Sequence, residues 1–304
     1  MKILNTGIIF AFMQSCMSIC CFAQDTESVI AKMLPEIPSN LTEPAQRAEY
    51  LTLHFWDNFD FTDTTFLMTN NLLEHCFVDF TDLLSLVPDD AKEKAIQACL
   101  KKSEAVHSLF TFIIKLSERY LYEPDSPLCN EEMLIPFLQY AIQSSQLPDT
   151  DKIRPRYLLK NISINRIGTV ANDFAYSLMN GNTGRLHAIK ADYTLLYFND
   201  PECDDCRMLI RQLCVSAIVS QFVESGKLKI ITVYVNDDMD AWKKHVSDVS
   251  PFWIYACDAA QKINNEEIYN IKQFPTLYLL DRDKKVLLKE PSFDNLEHFF
   301  KSQQ

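Results

Sequence analysis

The sequence predicts two domains, an all-α domain followed by an α/β domain whose central mixed sheet is flanked by helices. Three observations predict this. From about residue 26 to 150, apolar residues recur every three to four positions with almost no β-branched alternation, which is the helical period. Between Leu147 and Pro155 the chain turns polar, and beyond it the apolar pattern becomes strand-like. The 304 residues, 47% of them apolar, supply two packed cores, since single domains usually run to roughly 100–200 residues. The expected domains are residues 25–150 and 151–304.

The segment MKILNTGIIFAFMQSCMSICCFAQ places one Lys ahead of an apolar run that ends in small residues, the layout of a secretory signal. We expect residues 1–23 to be removed, with Cys21 and Ala23 at the small-residue positions and Gln24 first in the mature chain. A lipid anchor on Cys20 is the competing reading, and Ile19 fits poorly where a small residue belongs. The apolar run is shorter than the ~20 residues that a bilayer demands, so no membrane span is expected. The expected location is periplasmic or otherwise exported.

In the first domain, helices are expected at Ala45 to Phe59, Leu67 to Leu86, Asp89 to Lys102, Ser103 to Leu121 and Glu131 to Ser145, with Pro88, Pro124, Pro127 and Pro148 as punctuation. The fourth shows the pattern best: Val106, Leu109, Phe110, Ile113, Leu116 and Tyr120 form one stripe. Phe55, Trp56, Phe59 and Phe61 read as core, with a docking surface as the alternative.

In the second domain, Tyr193 to Asn199 reads as a buried strand ended by Asp200-Pro201, and one long helix is expected from Cys203 to Ser225, stopped by Gly226. Leu228 to Val235 is the next strand, and joining two strands through one helix implies a parallel pair. A helix at Met239 to Val246 and a helical piece near Asn264 to Lys272 follow. Thr276 to Asp281 and Lys285 to Lys289 form a hairpin, and a helix from Asp294 to Lys301 ends the chain. The expected order is β-α-β-α-(insert)-β-β-α.

Composition excludes several functions. Lys and Arg total 29 against 41 Asp and Glu, a net charge of −12, so nucleic acid is not an expected partner. With five glycines and neither a GxGxxG nor a GxxxxGK[ST] pattern, no nucleotide cofactor is expected. We expect no cofactor and no metal.

The chemistry centres on Cys203-Asp204-Asp205-Cys206, where a strand hands over to a helix. Cys203 at the helix N-terminus gains the positive end of the macrodipole for its thiolate, the attacking species in disulfide exchange. Cys206, one turn on, is placed to resolve the mixed disulfide. A structural zinc is the competing reading. It needs four ligands, and there is neither a second CxxC nor a ligand-spaced pair among the six His. Phe274-Pro275-Thr276 precedes the penultimate strand, and a cis bond there leaves the neighbouring backbone free to pair with an extended substrate. Simple strand punctuation by Pro275 is the alternative.

Residues 161 to 301 resemble periplasmic thioredoxin-like oxidoreductases of the TlpA and ResA kind. The resemblance rests on Gly168-Thr169-Val170-Ala171-Asn172-Asp173-Phe174, then LLYF, CxxC and Phe274-Pro275-Thr276. The helical part, with Phe55-Trp56-Asp57-Asn58-Phe59-Asp60-Phe61 and Phe80-Thr81-Asp82-Leu83-Leu84, is similar to a domain of unknown function that precedes such domains in exported bacterial proteins. The resemblance implies a thioredoxin fold and thiol-disulfide exchange with protein thiols and a redox partner protein. Cys203 and Cys206 are then catalytic, with Pro275 and Phe274 positioning the substrate.

Three departures stand out. The strand position where thioredoxins hold a buried Asp is Tyr197, so the proton of Cys206 must use another group, Glu202 or water, or move slowly. Glu202 replaces the usual Trp, and Asp204-Asp205 lie between the cysteines. These carboxylates oppose a developing thiolate and destabilise the reduced form, which tunes the pair toward reductant, although acidic residues also simply suit a helix's first turn. A peroxiredoxin needs Pro-x-x-x-Thr/Ser-x-x-Cys, and here Asp200 stands at the Thr position. A thioredoxin-fold binding or scaffold protein without turnover is the alternative function. Cys214 reads as a packed thiol, and the pairing of Cys76, Cys99, Cys129 and Cys257 is left open.

Overall fold

The computed structural model describes residues 32–64 and 71–304. The expected signal segment therefore lies outside the described residues. The chain divides into two compact units between Arg156 and Tyr157.

The first unit is helical: α1 (Pro44–His54), α2 (Leu72–Leu84), α3 (Asp89–Ser103), α4 (His107–Leu121) and α5 (Glu131–Gln143). The helices expected over 89–102 and 103–121 are both present as α3 and α4, but a turn at 104–106 delays the second to His107, where the Val106 carbonyl accepts the Leu109 and Phe110 N–H groups. Asn130 caps α5 by accepting the Met133 N–H. Pro136 sits inside α5, where the sequence reading placed no irregularity. The aromatic cluster is core: Phe55, Trp56, Phe59 and Phe61 are all buried, and Phe80 on α2 lies 5.4 Å, centroid to centroid, from both Phe55 and Trp56. Helix α6 (Ile153–Ile162), unforeseen in the sequence, spans the division between the units.

The second unit is a seven-stranded mixed sheet in the order β2-β1-β5-β4-β3-β6-β7. Its strands are β1 (Ala175–Leu178), β2 (Thr183–Arg185), β3 (Tyr193–Phe198), β4 (Leu228–Tyr234), β5 (Ile254–Cys257), β6 (Thr276–Leu280) and β7 (Val286–Lys289). The central strand β3 pairs parallel with β4 and antiparallel with β6. Buried on both faces, it reads as a continuous apolar run rather than an alternation. Alternate side chains nevertheless part company. Leu195 and Tyr197 of β3 join Leu277 and Leu279 of β6 in one core, while Leu196 and Phe198 join Tyr278 and Leu280 in the other.

Two helices, α7 (Asp204–Val215) and α8 (Ala217–Glu224), replace the single long helix expected over 203–225, and they bend by 71° at the break. Ser216 is the cause. Its backbone is extended (φ −68°, ψ 115°), and its hydroxyl accepts the Val219 N–H to cap α8 and donates to Glu297 Oε1 at 2.6 Å. The bend also corrects Cys214, which is exposed rather than packed on an apolar face. Beyond β4 come α9 (Met239–Lys244), a 3-10 turn at Val246–Asp248, β5, the short α10 (Lys262–Asn265), the β6–β7 hairpin and α11 (Phe293–Ser302). The edge strand β2 and the inner strands β1 and β5 have no counterpart among the expected elements. Among the described residues, no single helix is long and apolar enough to cross a membrane.

Replacing Ser216 with Ala removes both bonds at a buried cap, and should lower stability by about 1–2 kcal/mol, read as a shift in the urea midpoint without a change in slope.

Candidate active site

The end of β3 and the start of α7 build the site. After Phe198 the chain turns through 199–203, held by Asp200: its carbonyl accepts the Cys203 N–H at 3.1 Å and its Oδ1 accepts the Glu202 N–H at 2.9 Å. The Asn236 amide, from the loop after β4, donates to Asp200 Oδ2 at 2.9 Å. This turn delivers Cys203 as the N-cap of α7, and its Sγ accepts the Cys206 N–H at 3.4 Å. A sulfur thus stands where helices usually place an oxygen, at the positive end of the dipole.

Register brings in the far segment. Phe198 pairs with Thr276 across β3 and β6, so Phe274 and Pro275 end beside the dithiol. The Phe274–Pro275 peptide is cis, and the Cys203 thiol donates to the Phe274 carbonyl at 3.7 Å. Thr276 anchors this loop by donating its hydroxyl to the Gln273 carbonyl at 2.6 Å. Of the four residues expected to be catalytic or substrate-positioning, Cys203, Phe274 and Pro275 therefore meet at one point, with Cys206 directly behind.

The two thiols differ in environment. Cys203 is half-buried, whereas Cys206 has no exposed surface. Burial pushes the Cys206 thiol up to about 12, so it rests protonated. Tyr197, fully buried on the α7 side of β3, donates its hydroxyl to the Cys206 carbonyl at 2.8 Å. Burial, with the neighbouring cysteines, raises its phenol far above the usual range, so Tyr197 serves only as a neutral donor.

The acidic residues lie outward. Glu202, Asp204 and Asp205 are exposed, and Asp204 is paired with Arg207 one turn along α7. Arg207 also donates to the Pro201 carbonyl at 3.1 Å, tying the ion pair to the turn. Unforeseen in the sequence are Asn236, which buttresses Asp200, and the pair His245 and Asp248, with Nδ1 and Oδ2 2.7 Å apart. The only sequence signal for this pair is a His and an Asp three residues apart at the end of a helix. Among the described residues no three His, Cys, Asp or Glu side chains gather as a metal site.

All seven described cysteines are free thiols, with Cys76, Cys99, Cys206 and Cys257 buried. Brief native-state alkylation with iodoacetamide, mapped by peptide mass, should therefore label Cys203 and the exposed Cys214 and spare those four. Labelling of Cys206 as fast as Cys203 would contradict the geometry.

Residues 18–165 match a family described as a domain of unknown function (DUF5106), and residues 191–286 match a family described as thioredoxin-like. A crystal structure of a thioredoxin-like protein from Bacteroides caccae is 36% identical, with a TM-score of 0.86 over 89% of this chain and 98% of that one. A thioredoxin domain of a thiol-disulfide oxidoreductase from Bacteroides vulgatus is 25% identical over 45% of this chain and 96% of that one, with a TM-score of 0.40. Bovine nucleoredoxin is 27% identical over 112 residues, which is 36% of this chain and only 25% of nucleoredoxin's length. On its fold, its full-length likeness to the B. caccae protein and its matched segments, this chain belongs to the thioredoxin-like proteins and carries a DUF5106 domain ahead of its thioredoxin-like domain.

Proposed function

We propose that this protein is an exported thiol-disulfide oxidoreductase that exchanges disulfides with protein substrates, on the reducing side, through Cys203 and Cys206. The observation that carries the reading is the asymmetric dithiol: an accessible sulfur capping α7, bonded to the carbonyl before a cis proline, with a buried thiol one turn behind. Cys203 attacks a client disulfide. Cys206 then attacks Cys203, releasing the client as a dithiol and leaving the 203–206 disulfide for a redox partner protein to reduce.

The backbone around Phe274 and Pro275 supports an extended client segment, since the Phe274 carbonyl already faces the attacking sulfur. The carboxylates of Glu202, Asp204 and Asp205 support the reducing direction, because negative charge near a thiolate destabilises the reduced pair. Export rests on the signal-like layout of residues 1–23.

Insulin reduction driven by dithiothreitol should be accelerated by the wild-type protein and not by Cys203→Ala. Equal rates would leave a fold without turnover. Equilibration with glutathione should give a potential nearer the roughly −270 mV of thioredoxin than the roughly −120 mV of a strong oxidant, and a value at the oxidising end would reverse the assigned direction.

A further inference from the structure

Resolution of the mixed disulfide requires a proton to leave Cys206, which is buried, and Tyr197 beside it is too weak an acid and too occupied a donor to act as a base. The structure offers another route. Behind the dithiol lies a cavity of about 10 Å³, close to the smallest that holds one water. Its walls include Cys206 and Ile210 from α7, Asn199 and Asp200 from the turn after β3, and His245 and Asp248 from the turn after α9. Asn199 contributes a buried Oδ1 with no hydrogen-bond partner among the described residues, so a polar group in the cavity has an anchor. His245 is largely buried and Asp248 is half-exposed, so the dyad links the cavity to solvent.

We propose that His245, oriented by Asp248, is the base that receives the Cys206 proton through one water in this shared cavity. The inference rests on the disulfide-exchange reading above. An ionised Asp248 accepts only, so the proton between the two lies on Nδ1 and leaves Nε2 as the acceptor. In the step, the Cys206 S–H bond breaks and its proton passes through the water to His245. The Cys206 thiolate forms the bond to Cys203 Sγ as the Cys203–client bond breaks, and the client sulfur leaves with the electron pair. The imidazolium then returns its proton to solvent.

The other charged groups facing this cavity are accounted for. Asp200 is the competing base, but its two oxygens already accept from the Glu202 N–H and the Asn236 amide. Arg207 is paired with Asp204. The Tyr255 hydroxyl, on β5, donates to the Trp242 carbonyl at 2.6 Å.

The test uses the full chain in a Cys129→Ser, Cys214→Ser background, mixed rapidly with Ellman's reagent. Attack by Cys203 releases a first thionitrobenzoate, and resolution by Cys206 releases a second. Wild-type resolution should quicken with rising pH through one titration that His245→Gln abolishes, with the second phase slowed on the order of 100-fold at neutral pH and the first phase retained. Should His245→Gln fail to fold, Asp248→Asn on its exposed turn reads the same titration, which it should shift and weaken. A second phase unchanged by both variants, or a titration lost in Asp200→Asn instead, would overturn the relay. Absence of the first phase in the wild type would instead sink the oxidoreductase reading itself.

Discussion

A sulfur atom capping a helix is the interaction on which the rest of the site depends. The first N–H groups of any helix lack intrahelical partners, and in α7 the Cys206 N–H turns to Cys203 Sγ. That bond couples the reactivity of one cysteine to the position of the other. It holds the attacking sulfur at the mouth of the site and simultaneously draws the resolving residue into the first turn, where the helix buries its side chain against β3. Burial of Cys206 beneath an accessible Cys203 follows from helical geometry: residues three apart lie on one face, one above the other, so the N-cap sulfur sits at the rim and Cys206 one turn deeper.

The sheet supplies the opposing wall. Because β3 and β6 run antiparallel with Phe198 opposite Thr276, the residues after one strand and before the other emerge at the same edge. The parallel pairing of β3 with β4 brings the loop after β4 to that edge as well, which is how Asn236 reaches Asp200. Three chain segments far apart in sequence therefore converge because their strands end together, and no long-range side-chain bond is needed to recruit them. The ligand-binding edge of an α/β sheet arises in the same way.

Legibility in the sequence followed the range of the forces involved. The strands β3, β4 and β6 were visible because central strands are continuous apolar runs, and Cys203, Cys206 and Pro275 because their chemistry is written in a short local pattern. Strands β1 and β2 were not: at four and three residues, partly exposed, they are defined by pairing rather than by composition. The break at Ser216 was hidden because the apolar period continues through it, and only the hydroxyl bonds to Val219 and Glu297 reveal a cap. Cys214 was misplaced as a direct result. His245 and Asp248 were invisible for a different reason, since an insert of irregular structure brings them to α7 and no periodicity marks such an approach.

Substituting Tyr197 for a buried carboxylate changes how the site handles charge. A carboxylate beneath a buried thiol imposes a desolvation cost and repels the thiolate that must form there. A phenol imposes neither: its hydroxyl is satisfied by the Cys206 carbonyl, and burial raises it far above the usual range, which favours its neutral form. Its one proton is committed to that carbonyl, so the hydroxyl neither repels the developing thiolate nor competes for its proton. What it cannot do is accept that proton. A core built this way is easier to bury, and it leaves the Cys206 proton to groups elsewhere around the site. The arrangement separates the packing beneath the dithiol from removal of the Cys206 proton, two tasks that a single buried carboxylate would have to combine.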